Sequence, residues 1–240
     1  MKKILVLALW FTSFAVMPPA NAAQNNVVIN EIQCEGTDWI EIYNPTNVTV
    51  NISQWIITDR NPADGYPTAK HLYIFNTGSV IKAKSFRVIK QGSKSYNLKF
   101  GIDCTRQETI YLGVGTGVLW TEIDKVNPPA FESGAGWGRI VDGEDGWGHT
   151  DPTDKAPNIS LMPKLSGTGI FNCRVNKKCS LSLTATRNGT FALTSPKAGV
   201  TLKPSGAMTI TARKKQTMKF SVTMTNQYGS VDKTITVKFA

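Results

Sequence analysis

Residues 28–59 read VINEIQCEGTDWIEIYNPTNVTVNISQWIITD, and this stretch decides the fold. Ile40/Ile42, Val48/Val50/Ile52 and Trp55/Ile57 each recur at spacing two. The breaks fall at Glu35-Gly36-Thr37, Asn44-Pro45-Thr46 and Ser53-Gln54. Successive side chains of a strand point to opposite faces, so period-two apolar residues bounded by turn formers mark half-buried strands. The block leaves almost no room for a helix and reads as an all-β sandwich.

Working outward, a loop over residues 60–70 carries Asn61-Pro62, Asp64-Gly65 and Tyr66-Pro67 as turn signals. Strands are expected at 71–76, 85–90 and 109–113, with 118–121 returning from the 113–117 turn as a hairpin partner. Residues 125–158 are rich in Gly, Pro, Asp and Trp with little periodicity, so the expectation is either that Trp137 and Trp147 pack and hold them or that they are partly mobile. A linker at 159–168 leads to a second unit at 169–240. There Leu181/Leu183/Ala185, Met208/Ile210/Ala212, Met218/Phe220/Val222/Met224 and Ile235/Val237/Phe239 alternate with Thr, Ser and Lys. Its last two strands are joined at Asn226-Gln227-Tyr228-Gly229. The expectation is a compact antiparallel sandwich of seven or so strands.

Residues 1–22 read as a signal peptide: Lys2-Lys3, an apolar core from Ile4 to Val16, then Ala20-Asn21-Ala22. Cleavage is expected near Ala22, with no transmembrane anchor, giving a secreted or periplasmic protein. The even set Cys34, Cys104, Cys173 and Cys179 then reads as disulfides. Four cysteines allow three pairings. Placement in the two units favours Cys34–Cys104 in the first and Cys173–Cys179 across a tight hairpin in the second.

The net charge of +10 hides a split. Residues 23–160 carry 12 Lys and Arg against 16 Asp and Glu, whereas residues 161–240 carry 13 against the single acid Asp232. Such asymmetry bears on partners rather than on fold. Lys177, Lys178, Arg213, Lys214, Lys215, Lys219 and Lys238 are the candidate contacts for an anionic partner: an envelope polysaccharide, an anionic membrane surface or DNA. Lys177-Lys178 are placed in the disulfide-bridged hairpin, Arg213-Lys214-Lys215 in a turn, and Lys219 and Lys238 on the outer face by strand parity.

Other patterns read as structure. Asn30, Glu31, Glu41 and Asn44 are polar residues within or beside apolar strands. A paired-carboxylate site at Glu31 and Glu41 competes with their satisfying turn and edge backbone groups, and the second reading is adopted. Asp142, Glu144 and Asp145 could offer oxygens to calcium, or with His149 serve a metal-dependent hydrolase. No Glu closes the stretch at the EF-hand position, however, and an ordinary turn accounts for it. Gly113-Val114-Gly115-Thr116-Gly117 precedes a strand rather than a helix, so it is not a nucleotide loop. No Gly-x-Ser-x-Gly elbow is present. No catalytic residue, metal ligand or cofactor is assigned, and a small-molecule substrate is not expected.

The first unit resembles the lamin-tail domain family, the Ig-like β-sandwich of nuclear lamin tails that also occurs in exported bacterial proteins. The residues that carry it are Ile29-Asn30-Glu31-Ile32, Asp38-Trp39-Ile40-Glu41-Ile42-Tyr43-Asn44 and Ser53-Gln54-Trp55 leading to Asp59. Ala83-Lys84-Ser85, Phe100-Gly101 and Ile110-Tyr111-Leu112 continue it. Gly138-Arg139, Asp142-Gly143, Trp147, Pro152-Thr153 and Ala156-Pro157-Asn158 follow in order. Gln54 stands where glycine is usual, Asp154-Lys155 replaces Pro-Gly, and Cys34 and Cys104 are additions. The second unit looks like the Ig-like modules of exported bacterial proteins. The resemblance implies two Ig-like sandwiches in tandem over residues 23–158 and 169–240. It also implies a non-enzymatic module binding protein, nucleic acid or envelope components. The expectation is therefore a binding or scaffold protein, with sequence-nonspecific extracellular DNA binding as the alternative.

Overall fold

The computed structural model describes residues 27–131, 134–166 and 169–240; the expected leader lies outside them. The strands of the first half are β1 (Val28–Gln33), β2 (Trp39–Tyr43), β3 (Val50–Asn51), β4 (Trp55–Thr58) and β5 (Leu72–Ile74). They continue as β6 (Val80–Ile81), β7 (Phe86–Gln91), β8 (Asn97–Leu98), β9 (Ile110–Val114), β10 (Thr121–Val126), β11 (Gly136–Arg139), β12 (Trp147–Asp151) and β13 (Ile159–Ser160). One sheet runs β13-β12-β11-β1-β2-β7-β8, a second β10-β9-β4-β5, and β3 pairs with β6. Ile29, Ile32, Ile40, Ile42 and Ile89 from the first sheet meet Ile57, Ile110, Leu112 and Tyr73 from the second in one core. Burying an isoleucine fully contributes roughly 1.5–3 kcal/mol, so the alternation seen in residues 28–59 is what joins the two sheets.

The second half comprises β14 (Ile170–Cys173), β15 (Cys179–Ser182), β16 (Thr190–Leu193), β17 (Val200–Leu202), β18 (Ala207–Ile210), β19 (Gln216–Asn226) and β20 (Gly229–Phe239). These form a sheet β14-β20-β19-β16 and a sheet β15-β18-β17. Met208, Ile210 and Ala212 pack against Met218, Phe220, Val222, Met224, Ile235, Val237 and Phe239 in a core separate from the first. Lys219 and Lys238 are exposed, as strand parity required. Most of the architecture is therefore all-β, in two Ig-like sandwiches.

The β19–β20 hairpin turns at Gln227-Tyr228, and this tip meets the first sandwich. The Tyr228 ring lies 5.5 Å from that of His149. Asn226 Nδ2 donates to the Leu161 carbonyl at 2.8 Å, and Arg187 pairs with Asp151.

Three local expectations are corrected. The hairpin partner of β9 is present as β10 but starts later than expected: Gly117–Leu119 makes one 3₁₀ turn, and the strand runs from Thr121 to Val126. Val118 and Leu119 are exposed there, so their apolar character marks surface and not a sheet. Residues 125–158 hold regular structure after all, since β11 pairs with β1 and β12, and β12 with β13. Trp137 and Trp147 do pack against the first core. Finally, Cys173 and Cys179 do not bridge a hairpin. β14 and β15 belong to different sheets, so the segment carrying Lys177-Lys178 crosses from one layer to the other.

Candidate functional site

Glu31 and Glu41 face each other in register on β1 and β2 and are fully buried. Their partners come from β12 itself, from the segment after it and from Asn30 on β1. Glu31 Oε1 accepts from Thr150 Oγ1 at 2.5 Å, and its Oε2 accepts from the Thr153 N–H at 3.0 Å and Oγ1 at 2.8 Å. Glu41 accepts from Asn30 Nδ2 at 3.1 Å and from the Lys155 N–H at 2.8 Å. Asn30 Nδ2 also donates to Asp142 Oδ1 at 2.9 Å, and the same oxygen accepts the Asn158 N–H at 3.0 Å. Asn158 Nδ2 donates to the carbonyls of Asn30 and Arg139. Burial pushes the Glu31 carboxyl upward, and pushes Glu41 to about 8 against these hydrogen bonds. Among the described residues no buried side-chain nitrogen or oxygen lacks a partner, and the network fastens residues 142–158 onto β1 and β2. It is structural, as Asn44 is too: its Nδ2 donates to the carbonyls of Val48, Ile81 and Lys82.

Two glycines make room for this network. A Cβ on Gly136 would stand 2.6 Å from Glu31 Oε1, and one on Gly138 would stand 2.8 Å from Asn158 Nδ2. β11 therefore has glycine where an ordinary strand has an apolar residue, which hides its periodicity.

Sequence reasoning missed a buried ion pair beside it. β1 bulges between Ile29 and Glu31, and the Ile29 N–H released from the ladder donates to Asp124 Oδ2 at 2.8 Å. Arg139 binds that same oxygen at 3.0 Å, donates to the Ile29 carbonyl, and stacks over Trp147. Burial raises the Asp124 carboxyl while Arg139 lowers it. The Gly138-Arg139 motif was the only hint.

The 142–149 stretch does not gather ligands. Asp142 turns inward to Asn30 and Asn158, Glu144 and Asp145 are exposed, and His149 stacks edge-on against Trp137 at 5.2 Å. Among the described residues no three His, Cys, Asp or Glu side chains converge. Residues 113–119 form a strand end and a 3₁₀ turn with no following helix.

Cys34 is bonded to Cys104 and Cys173 to Cys179, with Cα atoms 5.7 and 5.8 Å apart. The first disulfide lines a groove of about 540 Å³ with Glu35, Asp103, Arg106 and Phe131. The second anchors the basic end of the chain. There the structure brings together two segments far apart in sequence: Lys177, Lys178 and Arg213 line one cleft of about 470 Å³ with Asn176, Gly199 and Thr211. Lys214 and Lys215 follow on the same exposed turn, and Gln216, opposite Phe239, opens β19. Lys238 and Lys219 lie near that end on the outer sheet face. The 11 residues of β19 span about 33 Å at ~3.3 Å each, which sets the cleft at the end away from the first sandwich. Asn176, Gly199 and Thr211 gave no sequence signal, because only the crossover between sheets makes them neighbours.

Among the described residues no helix is long and apolar enough to cross a membrane. The disulfides are consistent with an extracellular location.

Residues 20–128 match the family model described as Lamin Tail Domain. No curated protein matches the sequence. Among solved structures, the chain is similar to the N-terminal Ig1-2 module of the Drosophila receptor protein tyrosine phosphatase DLAR, at 10% identity and a TM-score of 0.26. That alignment covers 89% of this chain and 92% of the other. Neural ectodermal development factor IMP-L2 aligns at 12% identity and a TM-score of 0.26, covering 89% and 90%. A protein of unknown function from Porphyromonas gingivalis W83 aligns at 9% identity and a TM-score of 0.22, covering 91% and 97%. Likeness this distant carries no argument about activity. The match to the lamin tail domain model covers the resemblance from Ile29 to Leu112, while the residues quoted for it from Gly138 to Asn158 lie beyond residue 128.

Proposed function

We propose that this chain is an exported, non-enzymatic binding or scaffold protein, released after cleavage near Ala22 and working in the periplasm or outside the cell. The first sandwich makes protein contacts and the second docks on an anionic envelope or extracellular partner. The observation that carries this reading is the gathering of Lys177, Lys178 and Arg213 at one cleft. Among the described residues none of them forms an ion pair with an acidic side chain, and Asp232, the single acidic side chain after residue 160, accepts from Thr223 Oγ1 instead. Each basic residue near an anionic surface contributes about 1 kcal/mol.

For protein contact, the first sandwich offers Tyr66, Val118 and Leu119, exposed at 65%, 103% and 77%. They lie on adjoining turns, since the 3₁₀ turn at Pro62–Asp64 touches the one at Gly117–Leu119.

The test is capture from envelope extract on the immobilised mature chain, followed by a salt step. A polyanion released by salt supports the reading. Retention of nothing that salt can elute overturns it. Selective retention of DNA, steeply salt-dependent and indifferent to base sequence, would shift the assignment to nucleic acid.

A further inference from the structure

We propose that the cleft between residues 174–178 and 211–216 is a preformed site for an anionic saccharide, a sugar bearing sulfate or phosphate groups. This rests on the docking reading above and assigns that docking to one cleft rather than to diffuse charge.

The site is built from three segments that are each held in place. The Cys173–Cys179 disulfide ties both ends of the lysine-bearing crossover. Inside it, the Asn176 N–H donates to the Ala212 carbonyl at 2.8 Å, and the Val175 N–H to a main-chain oxygen of Ala240 at 3.3 Å. Across the cleft, the Thr211 N–H donates to the Gly199 carbonyl at 2.9 Å. Gly199 has φ +76°, and a Cβ there would stand 2.7 Å from the Thr211 carbonyl oxygen, so only glycine lets this wall close. The backbone that carries the cations is held before a charged group enters, which lowers the ordering cost of binding.

The lining chooses among anions. Asn176, Thr211 and Gln216 share the lining with Lys177, Lys178 and Arg213. Amide and hydroxyl groups both donate and accept, as sugar hydroxyls require, while the cations take sulfate or phosphate oxygens. No aromatic side chain lines the cleft. Phe191, Phe220 and Phe239 are in the core, and Tyr228 stacks on His149, so the platform that holds nucleobases is missing. At about 470 Å³ the cleft lies in the size range of small-ligand sites.

The experiment measures binding of the full mature chain to immobilised dextran sulfate at fixed salt, with dextran, a DNA duplex and anionic phospholipid vesicles in parallel. Lys177→Glu with Arg213→Glu is expected to weaken dextran sulfate binding by at least about 30-fold. Lys177→Gln with Arg213→Gln should give a smaller loss of the same kind, at unchanged melting temperature. Lys203→Glu with Lys233→Glu makes the same change in net charge away from the cleft, since Lys233 pairs with Val222, six residues along β19 from Gln216. That pair should alter binding by less than about 3-fold, because exposed charges beyond a Debye length are screened. Equal losses for both pairs would sink the cleft while leaving anionic docking intact. Tighter binding to duplex or vesicles than to dextran sulfate would overturn the saccharide assignment. A wild-type chain that binds no polyanion would remove the docking reading itself.

Discussion

Replacing Glu41 by Gln should change how the stability of the first sandwich depends on pH. The Glu41 carboxyl is fully buried, and in the folded protein burial raises it from 4.5 to about 8. A carboxyl raised on folding is bound to its proton more tightly in the native state than in the unfolded chain. Its stabilising contribution is therefore complete below pH 4.5 and is lost as pH climbs toward 8. The separation of the two values corresponds to about 5 kcal/mol at most, at ~1.36 kcal/mol per unit. Glu31 and Asp124 are raised by burial as well and act in the same direction. Urea unfolding from pH 5 to 9, followed by tryptophan emission, reads this cleanly. Trp39, Trp55, Trp120, Trp137 and Trp147 all lie in the first sandwich, and residues 159–240 contain none. The wild-type midpoint should fall steadily across this window, and Glu41→Gln should flatten the slope while leaving the residue due to Glu31 and Asp124. A wild-type midpoint that stays level or rises over the same range would refute the protonated-carboxyl argument. So would a variant whose slope equals that of the wild type.

Gly136→Ala drives a Cβ into Glu31 Oε1, and should destabilise the first sandwich by about 1–3 kcal/mol, seen as a lower urea midpoint by tryptophan emission. Arg139→Met leaves Asp124 buried without its cation, at a cost of roughly 3–5 kcal/mol; the loss should shrink at low pH, where Asp124 is protonated. Opening Cys34–Cys104, separated by 70 residues, should cost about 4 kcal/mol, against about 2 kcal/mol for Cys173–Cys179 with its separation of 6. Thermal melts of the two double-serine variants compare them.

Much of the fold was legible where apolar side chains keep to alternate positions. Ile40/Ile42 and Met218/Phe220/Val222/Met224 lie in the cores their spacing required. Legibility failed where another rule took over. β11 alternates glycine with Trp137 and Arg139 because carboxyl and amide groups occupy the space that its missing side chains leave. Val118-Leu119 reads as strand by composition, yet Gly115 and Gly117, both at positive φ, let the chain curl into a turn first. The basic residues were visible one by one, but their meeting was not. Residues 177–178 and 213 come together only because β15 crosses to the other sheet, a long-range fact that spacing cannot encode.

The place of β14 at the edge of the β14-β20-β19-β16 sheet has a mechanical consequence. β14, the first strand after the junction, runs parallel to β20, the last, with Ile170 opposite Thr236 and Cys173 opposite Phe239. Tension between the first sandwich and residue 240 therefore drags these neighbours in opposite directions along their length. Their slanted rungs are loaded together instead of one after another. A tether attached through both extremities would meet its stiffest resistance at this seam.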